Sequence, residues 1–153
     1  MRVGKLLEGT CQTAFTRAED NSIATADRVS MANVALKGSL LVSIHVGASV
    51  SPAASGFELF CPVDSGDPNA ARSLALARSI SNGVAQATAA TPQGVHQAPC
   101  RLFTNLQMPA VLIEVGFITN PKEEPLLTNP EYQEKIAQGI ANGIAACIGG
   151  KAP

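Results

Sequence analysis

One stretch limits what this chain can fold into: Met108 to Pro121, MPAVLIEVGFITNP. It opens on Pro109, runs through Ala110, Val111, Leu112, Ile113 and Val115 with a single polar break, and closes on Gly116 and an Asn-Pro pair. An apolar run of this kind, bounded by turn residues, reads as a strand buried on both faces of a parallel sheet. The break is Glu114, at the far end of the strand, where an ionised carboxylate is costly unless something pairs with it.

The elements around it alternate. Residues 2–8 read as the last turns of a helix with Gly9 as its stop, and Gln12 to Thr16 as a short strand. Ser22 to Lys37 forms an amphipathic helix capped by Asp20 or Asn21, with Ile23, Ala26, Val29 and Leu36 on one face and Gly38 ending it. Leu40 to Val46 is an interior strand carrying His45 near its carboxyl end, and Gly56 to Cys61 is another strand. Asp67 and Pro68 open a long helix whose stripe is Leu76, Ile80, Val84 and Ala87. Thr88 to Pro99 is a loop holding His96, and Arg101 to Leu106 a short strand.

After the organising strand, Asn120-Pro121 and Asn129-Pro130 each signal a helix start. In the second helix Ile136, Ile140 and Ile144 share a face, and Gly139 and Gly143 permit close approach to the sheet. The expected fold is therefore α/β, a mostly parallel twisted sheet with helices on both faces, in one domain over residues 1–153.

Composition removes several classes of function. A formal net charge of −1 leaves no basic footprint for nucleic acid. No stretch approaches the ~20 apolar residues of a membrane span, and the N-terminus carries no apolar run of signal-peptide length. Cys11, Cys61, Cys100 and Cys147 lie far apart with no paired spacing, which favours burial as small apolar residues over a zinc ribbon or redox pair.

Sites in open α/β sheets lie beyond the carboxyl ends of the strands, where His45 and Glu114 both fall. A neutral imidazole is the commonest metal ligand and a desolvated carboxylate suits general acid/base work, so the pair suggests metal-assisted hydrolysis. On position alone two plainer roles stay open: a core histidine bonded to the backbone, and a structural ion pair of Glu114 with Arg17, Arg28 or Arg101. Glu58, between Phe57 and Leu59, is expected to face solvent. Arg17, Asp20, Arg28 and Asn33 are expected to tie the first turn and helix to the sheet, and Glu123 and Glu124 to sit in the first turn of a helix.

Four segments in order resemble the zinc-dependent N-acetylmuramoyl-L-alanine amidases of the amidase-3 type: TRAED with ADRVSMAN, LLVSIHVGAS, GFELF, and MPAVLIEVGFITNPKEEPLL with PEYQEKIAQGIANGI. The resemblance implies a peptidoglycan hydrolase of the cell envelope that cleaves the amide between N-acetylmuramic acid and L-alanine with one Zn²⁺. It implies that His45 is a zinc ligand and Glu114 the catalytic glutamate. In the family a His-Gly-Gly strand and a glutamate opening the next helix supply two further ligands. The match here begins after both, so the domain is expected to be N-terminally incomplete, and Gly47 stands where the family has asparagine.

Three outcomes are consistent with that: a fragment of an active amidase, a non-catalytic relative that still contacts peptidoglycan, or a rearranged site using His96, Glu58 or Asp64. A sheet short of a strand is expected to expose apolar surface and to be marginally stable or to self-associate.

Overall fold

The structure is a computed structural model and describes residues 1–35 and 40–149. Helix α1 spans Arg2–Leu6 and α2 spans Thr25–Ser30, which runs on as a wider π-helical turn, Met31–Ala35. Then follow β1 (Leu41–Gly47), β2 (Phe57–Cys61), α3 (Ala70–Thr88), β3 (Pro92–Gln97), a 3-10 turn (Arg101–Phe103), β4 (Ala110–Phe117), α4 (Glu124–Thr128) and α5 (Pro130–Ile148).

The strands form one sheet in the order β1-β4-β2-β3. The apolar run that organises the sequence is β4, an interior strand whose Val111 and Ile113 are fully buried. It pairs in parallel with β1, as does β2 with β3, so the mostly parallel α/β fold is borne out. The β2–β4 pairing is antiparallel, Leu59 opposite Ile113, a detail that apolar patterning does not encode.

Side-chain alternation then sorts the sheet into two faces. Phe57, Leu59 and Cys61 of β2 and Val111, Ile113 and Val115 of β4 join a core completed by Leu76, Ile80 and Val84 of α3 and Ile136, Ile140 and Ile144 of α5. The glycines of α5 do not approach the sheet as expected. They approach α3: a Cβ at Gly139 would stand 2.6 Å from the Val84 Cα and 2.7 Å from the Gly83 carbonyl oxygen. At the same crossing the buried Ser79 hydroxyl donates to the Gly143 carbonyl at 2.8 Å. Two backbones this close leave room only for hydrogen.

Other boundaries moved for local reasons. The expected loop 88–99 contains β3, missed because Pro92 and Gly94 are poor strand formers, yet proline is tolerated at the first position of an edge strand. Residues 101–103 make a 3-10 turn instead of a strand. Gln12 to Thr16 joins no ladder among the described residues, having no strand beside it to pair with. The second helix begins at Thr25 with Ala24 at its cap, and its expected end at Lys37 and Gly38 lies outside the described residues. Helix α3 starts at Ala70, where the Asp67 carboxylate accepts from the Asn69 N–H at 2.8 Å.

The cap predicted at Asn129 is present, accepting from the Glu131 and Tyr132 N–H groups at 2.8 and 3.3 Å. All four cysteines are free thiols, and burial raises the pKa of the enclosed Cys61. Among the described residues no helix is long and apolar enough to cross a membrane.

Candidate functional site

The sheet register places His45 of β1 opposite Glu114 of β4, and Glu114 opposite Glu58 of β2. Because the side-chain period is two, these three share the face that α3 and α5 do not cover. Glu58 therefore does not point to solvent as expected. Its side chain is 21% exposed and meets His96 of β3, Nε2 to Oε2 at 3.5 Å. The His96 ring also stacks obliquely on Phe60, centroids 5.4 Å apart. It fits because Gly94, at φ 145°, has no Cβ; one there would stand 2.9 Å from the ring. An imidazole, two carboxylates and a second imidazole thus cross all four strands.

A bulge aims the middle of this row. Between the pairs His45–Glu114 and Gly47–Phe117, β4 carries one residue more than β1, and Gly116 takes φ 153° there. Bulges of this kind re-aim side chains beside functional sites. A Cβ at position 47 would meet the end of the Glu114 carboxylate, so the two positions lie against each other.

The strand end is held by Glu123, whose Oε1 accepts from the Gly56 N–H at 2.7 Å and Oε2 from the Phe117 N–H at 2.8 Å. Asn120 adds a bond from its Nδ2 to the Ala54 carbonyl at 2.8 Å. The Asn-Pro-x-Glu segment, legible in sequence as a helix start, thus also clamps β2 to β4. Glu123→Ala leaves two partly buried N–H groups unsatisfied and is expected to cost about 1–3 kcal/mol, measured by urea denaturation.

Electrostatics separate the two central groups. Burial, then the charge of Glu58, raises the pKa of Glu114 above the ordinary carboxylate range. Like charges set directly opposite one another repel, and holding a proton relieves that. His45 is exposed by surface area, yet neighbouring atoms crowd it enough that burial, followed by Arg28 and Arg17, lowers its pKa and favours neutral imidazole. Its Nε2 lies 2.7 Å from the Ser43 hydroxyl.

No ion pair holds Glu114 among the described residues; Arg17 and Arg28 instead donate to the Asn21 and Ile23 carbonyls at 2.7 and 3.0 Å. Asn33 does tie its helix toward β4, bonding Asn105 and Gln107. Asp64 lies exposed in the loop after β2. Among the described residues no three His, Cys, Asp or Glu side chains converge as a metal site. A catalytic zinc takes three protein ligands and a water, so this donor set does not fit one by itself.

Comparison with known proteins adds an independent line. The Amidase_3 family model, N-acetylmuramoyl-L-alanine amidase, matches residues 1–146. The uncharacterized protein YqiI of Bacillus subtilis strain 168 is 36% identical over 140 residues, 92% of this chain and 66% of that protein. The N-acetylmuramoyl-L-alanine amidase LytC of the same strain is 31% identical over 132 residues, 86% of this chain and 26% of that protein. The chain thus spans under two thirds of the length of these curated relatives.

Solved structures agree in fold. The N-acetylmuramoyl-L-alanine amidase from Clostridium difficile 630 superposes with a TM-score of 0.90 at 28% identity, covering 98% of this chain and 80% of that one. The catalytic domain of CwlV from Bacillus (Paenibacillus) polymyxa var. colistinus gives 0.86 at 32% identity, covering 97% and 79%.

Proposed function

We propose that this chain, which belongs to the Amidase_3 family of N-acetylmuramoyl-L-alanine amidases, is a peptidoglycan hydrolase domain acting in the cell envelope on the amide between N-acetylmuramic acid and L-alanine. The observation that carries this reading is Glu114, raised in pKa by burial and by Glu58, bulge-aimed and directly opposite His45.

Its raised pKa suits both halves of an amide hydrolysis near neutral pH. Glu114 takes a proton from the attacking water as the carbon–oxygen bond forms, then returns it to the nitrogen as the carbon–nitrogen bond breaks. Glu58 favours the protonated form of Glu114 through its charge. We assign His45, whose lowered pKa favours the neutral imidazole, as one ligand of a zinc ion.

A second reading is favoured by the incomplete donor set: a domain that contacts peptidoglycan without cleaving it. One experiment separates them. The purified 153-residue chain is incubated with Bacillus sacculi, with and without added Zn²⁺, and newly exposed L-alanine amino groups are counted alongside bound zinc. Release that depends on zinc and is lost in His45→Ala supports hydrolysis by this chain. Sacculus binding with neither zinc uptake nor release supports the second reading and removes the first.

A further inference from the structure

The geometry points to a sugar subsite beside Glu114, in which Glu58, Phe60 and His96 form a platform for the muramoyl ring of peptidoglycan, an uncharged N-acetylated pyranose, and not for its peptide. The assignment rests on the amidase reading for the position of the scissile amide.

Strands β2 and β3 lie beyond Glu114 on the side away from His45. Glu58 of β2 pairs with Glu114 on one side and with Gly94 on the other. Gly94 adds no side chain to this row, and the His96 ring lies over it: a Cβ there would stand 2.9 Å from Cε1 and 3.0 Å from Nε2. The imidazole therefore ends the row that Glu114 and Glu58 begin, two strand spacings or roughly 10 Å from Glu114. Phe60, the next residue on the same face of β2, stacks obliquely on that imidazole. Both rings remain partly uncovered, the His96 side chain being 45% exposed and Phe60 half-buried. No step of the hydrolysis uses either ring.

The chemistry of the patch is that of saccharide recognition. In a β-linked pyranose the ring substituents are equatorial, so each face presents C–H bonds that pack on aromatic rings. Within the glycan strand the muramoyl unit offers its C6 hydroxyl and its acetamido N–H as donors, and both need an acceptor. Glu58 is placed to be one: among the described residues its carboxylate meets a single polar group, His96 Nε2 at 3.5 Å, and a charged acceptor binds neutral donors strongly. Reach agrees with this. The lactyl ether holds the ring only a few bonds from the scissile carbonyl, so an amide seated at Glu114 carries its sugar over the adjoining strand. Charge argues against the peptide. Strands β2, β3 and β4 contain no lysine or arginine, while Glu58 and Glu114 share this face. The second residue of the peptide is an acidic glutamate, which such a face repels and an uncharged ring does not offer.

The test uses the 153-residue chain in zinc-free buffer, where nothing is cleaved. It has two histidines, so two imidazole signals in its NMR spectrum report the face, and His96→Ala assigns them. Two neutral-headed probes are titrated: N-acetylmuramoyl amide, which has the sugar and the amide, and acetyl-L-alanyl-D-isoglutamine, which has the peptide alone. The sugar probe is expected to shift the His96 signal saturably with a millimolar Kd, the peptide to leave it unmoved, and Phe60→Leu to weaken the sugar about three- to tenfold. His96→Ala, at an exposed position and read through the backbone amides of residues 57–61, should weaken it likewise and serves if Phe60→Leu does not fold. No shift from the sugar at tens of millimolar, or an equal shift from the peptide, overturns the subsite. Zinc-dependent release from sacculi without a sugar effect at His96 would sink the subsite and leave the hydrolase reading standing. A sugar shift without release upholds the subsite on a domain that does not cleave.

Discussion

Replacing Glu114 with glutamine is expected to lower peptidoglycan turnover by about 10²–10⁴-fold, the span of a general acid/base, while leaving the folded chain slightly more stable at neutral pH. The two effects have one origin. Glu114 faces Glu58 across an antiparallel pair, and its pKa is raised by burial and by that charge. A carboxyl whose folded pKa lies above its unfolded value contributes most to stability below the unfolded pKa, and that contribution is lost as pH rises through the folded one. The wild type therefore gives up stability on moving from acid toward neutral pH, and the amide does not. Relief of a like-charge cross-strand pair is worth about 0.2–1 kcal/mol, or up to roughly 4 °C in Tm for a chain of this length.

Calorimetry at pH 4 and pH 7 reads this directly: the variant's Tm advantage should grow between the two. A variant less stable than wild type at pH 7 would mean that Glu114 holds the fold together through a partner, and the catalytic assignment would fall. Loss of turnover with no change in the pH dependence of stability would also remove the link drawn between Glu58 and the proton on Glu114.

The sequence was informative where one physical rule dominated. The apolar run of β4 and its single carboxylate marked both the interior strand and one half of the candidate site, because burial and charge conflict there and nowhere else along the run. His45 was legible for the same reason. Glu58 was not: alternation with Phe57 and Leu59 correctly put it on the opposite face from the core, but whether that face met solvent or the site depended on the antiparallel β2–β4 register. His96 was hidden further, since β3 is weak in propensity and forms only because β2 offers an edge. Glu123 obeyed the rule for helix starts, which concealed its second task of bridging Gly56 and Phe117. These are tertiary facts, set by which strands meet.

The glycines of α5 lead to the second large effect. Gly139→Ala would stabilise an isolated helix by about 1 kcal/mol, because alanine restricts the unfolded chain and suits the helix better. In this fold the sign is expected to reverse. The added Cβ meets the Val84 Cα at 2.6 Å, the Gly83 carbonyl oxygen at 2.7 Å and the Val84 nitrogen at 2.9 Å, all backbone atoms that cannot rotate away. Relief requires α5 to move off α3 and open the layer formed by Ile80, Val84, Ile140 and Ile144. Overpacking of this kind costs about 1–3 kcal/mol, a large share of the ~5–15 kcal/mol that holds a domain together. A Cβ at Gly143 would stand 2.7 Å from both the Ile80 nitrogen and the Ser79 carbonyl oxygen, along the same seam. One shift of α5 would relieve both contacts, so the double alanine variant should cost less than the sum of the singles. Urea denaturation of the three variants reads both statements. A Gly139→Ala chain as stable as wild type would show that the seam has slack, and strictly additive losses would show that the two glycines relax independently.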